Sequence, residues 1–188
     1  MSAIRLRGAT SGTTDVVAAA IAGDGVLSLP SGTGTLATTA DVAAVVTGKI
    51  LQVVSATYST AVSTSSTSFV TTGLTATITP SSTSSKVLIL AHTGGRNAMN
   101  AAVNGSFTLF RGTAAGTNLG HATAGMSELF ANGATDLRVN QHFNYLDSPS
   151  TAAAQIYTLA MRTADASVAM TSSYLSAVSS IILMEVAA

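Results

Sequence analysis

FVTTGLTATITP, residues Phe69–Pro80, alternates with a period of two: Leu74, Ala76 and Ile78 fall on one side, Thr75, Thr77 and Thr79 on the other. That is the pattern of a strand with one face in a core and one in water. Working outward, KILQVVSATY (Lys49–Tyr58) reads as a strand before it, joined through a Ser/Thr-rich connection at Ser59–Ser68. PSSTSSK (Pro80–Lys86) reads as a loop, and KVLILAH (Lys86–His92) as a short apolar strand closed by Thr93-Gly94-Gly95. SFTLFRG (Ser106–Gly112), LRVNQHFNY (Leu137–Tyr145), AAQIYTLAMR (Ala153–Arg162) and SSIILMEVA (Ser179–Ala187) continue the series, with a weaker strand near Ala166–Thr171. Asn104-Gly105 and Asn132-Gly133 read as hairpin turns, because both residue types accept a positive φ. GMSELFANG (Gly125–Gly133) also fits a short helix, with Ser127 as its cap and Met126, Leu129 and Phe130 inward. The last apolar strand, SSIILMEVA, is expected in the middle of a sheet. Roughly seven to nine short strands with polar turns between them predict an all-β fold, a jelly-roll-like β-sandwich over residues 49–188.

The first 48 residues have a different texture. IRLR (Ile4–Arg7), VVAAAIA (Val16–Ala22) and VLSLP (Val26–Pro30) are short apolar pieces among Gly, Ser, Thr and Asp, with one possible helical turn at Asp41–Val46. Little there could bury a core unaided, so residues 1–48 read as an extended N-terminal arm with short strands that orders against a neighbour, a small folded subdomain being the alternative.

Composition narrows the function. Of 188 residues, 33 are Ala, 28 Thr and 24 Ser; charged residues make up 9%, with eight basic against eight acidic. An ordinary soluble domain carries about 25% charge. An uncharged surface at zero net charge favours association, so permanent assembly is expected. The balanced charge, with no basic run, excludes the electrostatic footprint of a nucleic-acid binder. With no cysteine there is no disulfide, thiolate nucleophile or zinc ribbon. The longest strictly apolar run, Val16–Ala22, is far shorter than the ~20 residues that span a bilayer, so no membrane insertion is expected.

Motifs that could carry chemistry are weak. GTGTLA (Gly32–Ala37) has the glycines of a dinucleotide loop, but no sustained helix follows and the next acid after Asp41 is Glu128. His92, His121 and His142 have no metal-ligand spacing, although two could meet in space. A Ser–His–Asp set drawn from His92, Asp136 and any of the serines lacks a GxSxG elbow. Glu128, Asp136, Asp147, Asp165 and Glu185 form no local carboxylate pair, and nine aromatics without Trp are few for a sugar-cleaving enzyme. No catalytic, metal or cofactor-binding residue is assigned.

Two stretches carry a resemblance. LRGATSGTTDVVAAAIAGDGVLSLPSGTGTLAT (Leu6–Thr38) resembles a segment common in tailed-bacteriophage fibre and virion proteins. KILQVVSATYSTAVSTSSTSFVTTGLTATITPSSTSSKVLILAHTGG (Lys49–Gly95) is similar to the start of a phage knob domain. Together they cover about half of the chain, and their motifs are compositional rather than catalytic. The resemblance implies a jelly-roll-like homotrimer displayed on the virion surface through its N-terminal part, made in the host cytoplasm. The leading expectation is a non-enzymatic capsid-decoration (cement) or head-spike protein. Residues 1–48 would contact the major capsid protein or another virion protein, with Ile4, Arg5, Leu6 and Arg7 as the docking strand. The alternative is a short tail fibre or receptor-binding protein. It would meet a host-surface receptor through the loops Ser59–Ser68, Gly94–Asn104 and Gly112–Gly125.

Overall fold

The structure, a computed structural model, describes residues 3–7, 13–17, 49–94, 103–131 and 139–187. The chain divides into two units, Met1–Asp41 and Val42–Ala188. In the first, β1 (Ala3–Arg7) and β2 (Thr13–Val17) pair as an antiparallel ribbon. The expected turn at Asp41–Val46 and the pieces at Val26–Pro30 and Gly32–Ala37 lie outside the described residues.

The second unit is a β-sandwich. Its strands are β3 (Ile50–Tyr58), β4 (Val62–Thr64), β5 (Val70–Ile78), β6 (Lys86–His92), β7 (Val103–Arg111), β8 (Thr117–Asn118) and β9 (Ser127–Ala131). They continue as β10 (His142–Asp147), β11 (Gln155–Thr163), β12 (Met170–Ser172) and β13 (Ser179–Val186). One sheet has the order β10-β6-β13-β3; the other runs β5-β11-β7, with β8 and β9 both pairing β7; β4 and β12 make a small separate ladder. Every pairing is antiparallel. Counting β3, β5, β6, β7, β9, β10, β11 and β13 as first to eighth, the sheets read first–eighth–third–sixth and second–seventh–fourth–fifth. Each connection but the β7–β9 hairpin crosses between sheets. That winding is the jelly roll. As its apolar run suggests, β13 is central, between β6 and β3.

Alternation decides which side chains meet between the sheets. Leu74, Ala76 and Ile78 of β5 are buried while Thr75 and Thr77 face out. They join Val87, Ile89, Phe107, Leu109, Phe143, Tyr157, Leu159, Met161, Ile181 and Leu183 in one core. Fully burying each large apolar side chain contributes about 1.5–3 kcal/mol. Beside Gly73 the register of β11 against β5 slips between Thr158 and Ala160; the Thr72 hydroxyl donates to the Leu159 carbonyl there, 2.9 Å away. Gly73 itself has φ 87°, and the Tyr58 ring of the opposite sheet lies where a Cβ would sit.

Two polar clamps complete the interior. Asp147, buried on β10, accepts from the Tyr157 hydroxyl at 2.7 Å and pairs with Arg111 Nη1 at 3.2 Å, so it ties one sheet to the other. Burial, then the Asp147 contact, pushes the Tyr157 hydroxyl far above its ordinary range, keeping it a donor. Buried Glu185, at the end of β13, accepts from the Ser81 backbone N–H (2.7 Å) and hydroxyl (2.6 Å). Burial disfavours its charge, but the hydrogen bonds from Ser81 and Ser85 outweigh it and hold the carboxyl below its usual range.

Three sequence expectations are corrected. Asn104-Gly105 is not a turn: it lies inside β7, where Gly105 faces Thr163 on one side and Leu129 on the other. The expected helix over Gly125–Gly133 is not formed in its described part, residues 125–131, because Ser127–Ala131 is β9. Leu129 packs on the core and Phe130 is exposed, an alternation hidden beneath apolar spacing that also fits a helical turn. Leu137–Tyr145 is not one strand: β10 starts only at His142, because the Gln141 backbone N–H bonds the Thr93 hydroxyl and its carbonyl accepts the Thr93 N–H. Ser59–Ser68 also contains β4, and the weaker strand is realised as Met170–Ser172. Asn132-Gly133 lies outside the described residues.

Candidate interaction surfaces

Ile4, Arg5, Leu6 and Arg7 all lie in β1, opposite Val16, Asp15, Thr14 and Thr13 of β2. The expected docking strand is therefore a strand, already paired on one edge. Of the three expected recognition loops, Ser59–Ser68 and Gly112–Gly125 are described throughout, and most of Gly94–Asn104 lies outside the described residues.

The outer face of the β10-β6-β13-β3 sheet is the largest feature that sequence reading missed. Registers place Val53, Met184, Leu88 and Leu146 side by side across its four strands, and Ser55, Ile182, Leu90 and Asn144 in the next row. The third row is Thr57, Ser180, His92 and His142. Val53 is 58% exposed, Leu146 49% and Leu90 37%, and nearby Ile50 and Leu51 are exposed too. Strand spacings of ~4.8 Å and ~3.4 Å per residue make these rows, with side-chain margins, about 500 Å². Six of these twelve positions are polar, and the apolar side chains concentrate in the first row with Ile182 and Leu90 beside it. The signal was present as Met184, Ile182, Leu88 and Leu90, but only pairing shows that they share a face.

His92 and His142 do meet in space: their rings stack, with centroids 5.8 Å apart. The Val178 carbonyl, 3.1 Å from His92 Nε2, can only accept, so Nε2 carries the proton and Nδ1 accepts from the Ser180 hydroxyl at 2.9 Å. A shallow cavity of about 280 Å³ lies over this row. Ser180 sits on a central strand whose backbone N–H groups are engaged by β3 and β6, so none is free to stabilise an oxyanion there. Asp136, the acid of the paper triad, lies outside the described residues. His121 stands apart, its Nδ1 holding the 121–124 turn through Thr123 and Ala124. Among the described residues no three His, Asp or Glu side chains cluster as metal ligands, and no helix is long and apolar enough to cross a membrane.

A second cavity, about 410 Å³, opens outside the other sheet. Thr67, Ser68 and Phe69 form one wall, Ala114, Asn118 and Ala122 the other, and Phe110 and Arg162 the floor. Phe69 and Phe110 meet edge to face at 5.9 Å. Two loops expected as recognition loops thus converge on one site. No protein-family model matches the chain, and no curated protein matches it as a relative.

Proposed function

We propose that this chain is a non-enzymatic structural protein of a tailed-phage particle, a capsid-decoration or head-spike protein. Its jelly-roll domain forms trimers on the capsid surface, and its N-terminal part contacts the major capsid protein or another virion protein. The observation that carries the assembly half of this reading is the exposed apolar row across β10, β6, β13 and β3, with Lys86 as the one charged side chain at its edge among the described residues. A zero-charge chain with such a face aggregates unless a closed ring covers it. The resemblance in Leu6–Thr38 and Lys49–Gly95 supports the phage setting and the number three. Particle copy number, by quantitative mass spectrometry against the major capsid protein, tests the role: hundreds per particle support decoration, and a few to a few tens refute it. Native mass spectrometry of the purified chain tests the assembly. Met184→Glu places a carboxylate in the middle of the face and converts a trimer into folded monomer; a Met184→Glu trimer overturns the assignment of the face.

A second reading, a short tail fibre or receptor-binding protein, is favoured by the cavity between residues 67–69 and 114–122. A low copy number with adsorption of the purified protein to host cells would select it.

A further inference from the structure

The Phe69–Phe110–Arg162 cavity has the chemistry of a ligand site, wherever on a particle the chain sits. Arg162 lies on β11 opposite Ser106, on the outer side of the sheet. Its guanidinium carbon stands 5.8 Å from the Phe69 ring centroid, a cation–π distance. Its Nε is buried and has no hydrogen-bond partner, and among the described residues no carboxylate pairs with the guanidinium. A buried donor left so is unfavourable, and an acceptor that reached Nε would satisfy it.

The walls are preformed. The Ser66 hydroxyl donates to the Ser68 carbonyl and accepts from its N–H, and the Ser66 carbonyl accepts from Thr163 N–H, pinning the first loop to β11. On the other side Asn118 Oδ1 takes the Thr108 hydroxyl at 2.6 Å and the Gly120 N–H at 2.9 Å.

We infer that this cavity binds the carboxylate of an acidic sugar. A guanidinium fork matches a planar carboxylate in two parallel hydrogen bonds. Among the described residues Arg162 is the only cation lining the cavity, which suits a singly charged group better than a phosphate dianion. The half-buried Phe69 ring, backed by the buried Phe110, offers apolar surface to the C–H face of a pyranose, and the exposed Thr67 and Ser68 offer hydroxyls at the rim. A cavity of about 410 Å³ falls within the usual ~300–1,000 Å³ of small-ligand sites. A peptide acid is the poorer fit, since β11 is flanked by β5 and β7 and leaves no free strand edge for main-chain pairing.

The test is an NMR titration of the full chain with sodium glucuronate, glucose, sodium acetate and a glutamate tripeptide, each alone. Glucuronate should shift the resonances of Phe69, Phe110 and Arg162 and bind at least tenfold tighter than the other three. Arg162→Gln should lose at least tenfold of that affinity, and Arg162→Lys should keep only part of it. Equal binding of glucose or acetate, tighter binding of the tripeptide, or no glucuronate response at the cavity overturns the inference. The wild-type ranking decides even if a variant folds poorly.

Discussion

Replacing Asp147 by alanine removes a buried group that joins both sheets through polar contacts, and its cost can be worked from the geometry. The Tyr157 hydroxyl, fully buried and bonded to Asp147 at 2.7 Å, would lose its acceptor. An orphaned buried hydroxyl costs about 1–3 kcal/mol. The Arg111 pair adds less. Arg111 keeps 26% of its side chain exposed and also donates to the Ser148 carbonyl, so solvent screening limits its loss to about 1 kcal/mol or under. Asp147→Ala should therefore destabilise by about 1–4 kcal/mol. Tyr157→Phe leaves Asp147 its arginine and should cost about 1–2 kcal/mol. In the double variant the phenyl ring has nothing to satisfy, so the losses should fall short of the sum by about 1–2 kcal/mol. Urea unfolding of the four proteins, monitored by tyrosine fluorescence where Tyr157 is kept and by far-UV circular dichroism throughout, measures each value. Additive losses within about 0.5 kcal/mol, or an Asp147→Ala cost below about 1 kcal/mol, would refute the idea that this bond clamps the sheets.

Gly73→Ala should destabilise by roughly 2 kcal/mol or more, because its φ is 87° and a Cβ would meet the Tyr58 ring at 2.4–2.8 Å. Thermal unfolding reads this, and partial recovery in Gly73→Ala/Tyr58→Leu would locate the clash; an unchanged melting temperature would refute it. Glu185 predicts a pH effect of definite sign. Its carboxyl is held below the ordinary 4.5, so the stabilisation is present above that pH and drains away as pH falls through the folded value. Glu185→Gln should flatten the acid limb of the melting curve below about pH 4.5, and an unaltered acid limb would count against the Ser81 clamp.

Where sequence reading succeeded, the signal was local. Leu74, Ala76 and Ile78 alternate with threonines, and a strand with one wet face is the structure that sorts them. Where it failed, two local signals competed. Asn104-Gly105 has the chemistry of a tight turn, yet Gly105 pairs with strands on both sides, because ladder bonds along β7 outweigh a turn preference. Met126, Leu129 and Phe130 fit a helix as well as a strand, and pairing of β9 with β7 decided between them.

The sequence by itself determined the class: a charge-poor, hydroxyl-rich all-β chain with an apolar final strand, built largely from residues whose alternation fits half-buried strands. Tertiary structure alone decided what those sheets present to the outside. Met184 touches Val53 and Leu88 only because β13 lies between β3 and β6, and Arg162 reaches Phe69 only because β11 runs beneath the loop before β5. Period-two patterning assigns each side chain a face, but which faces adjoin depends on pairings between strands distant in sequence.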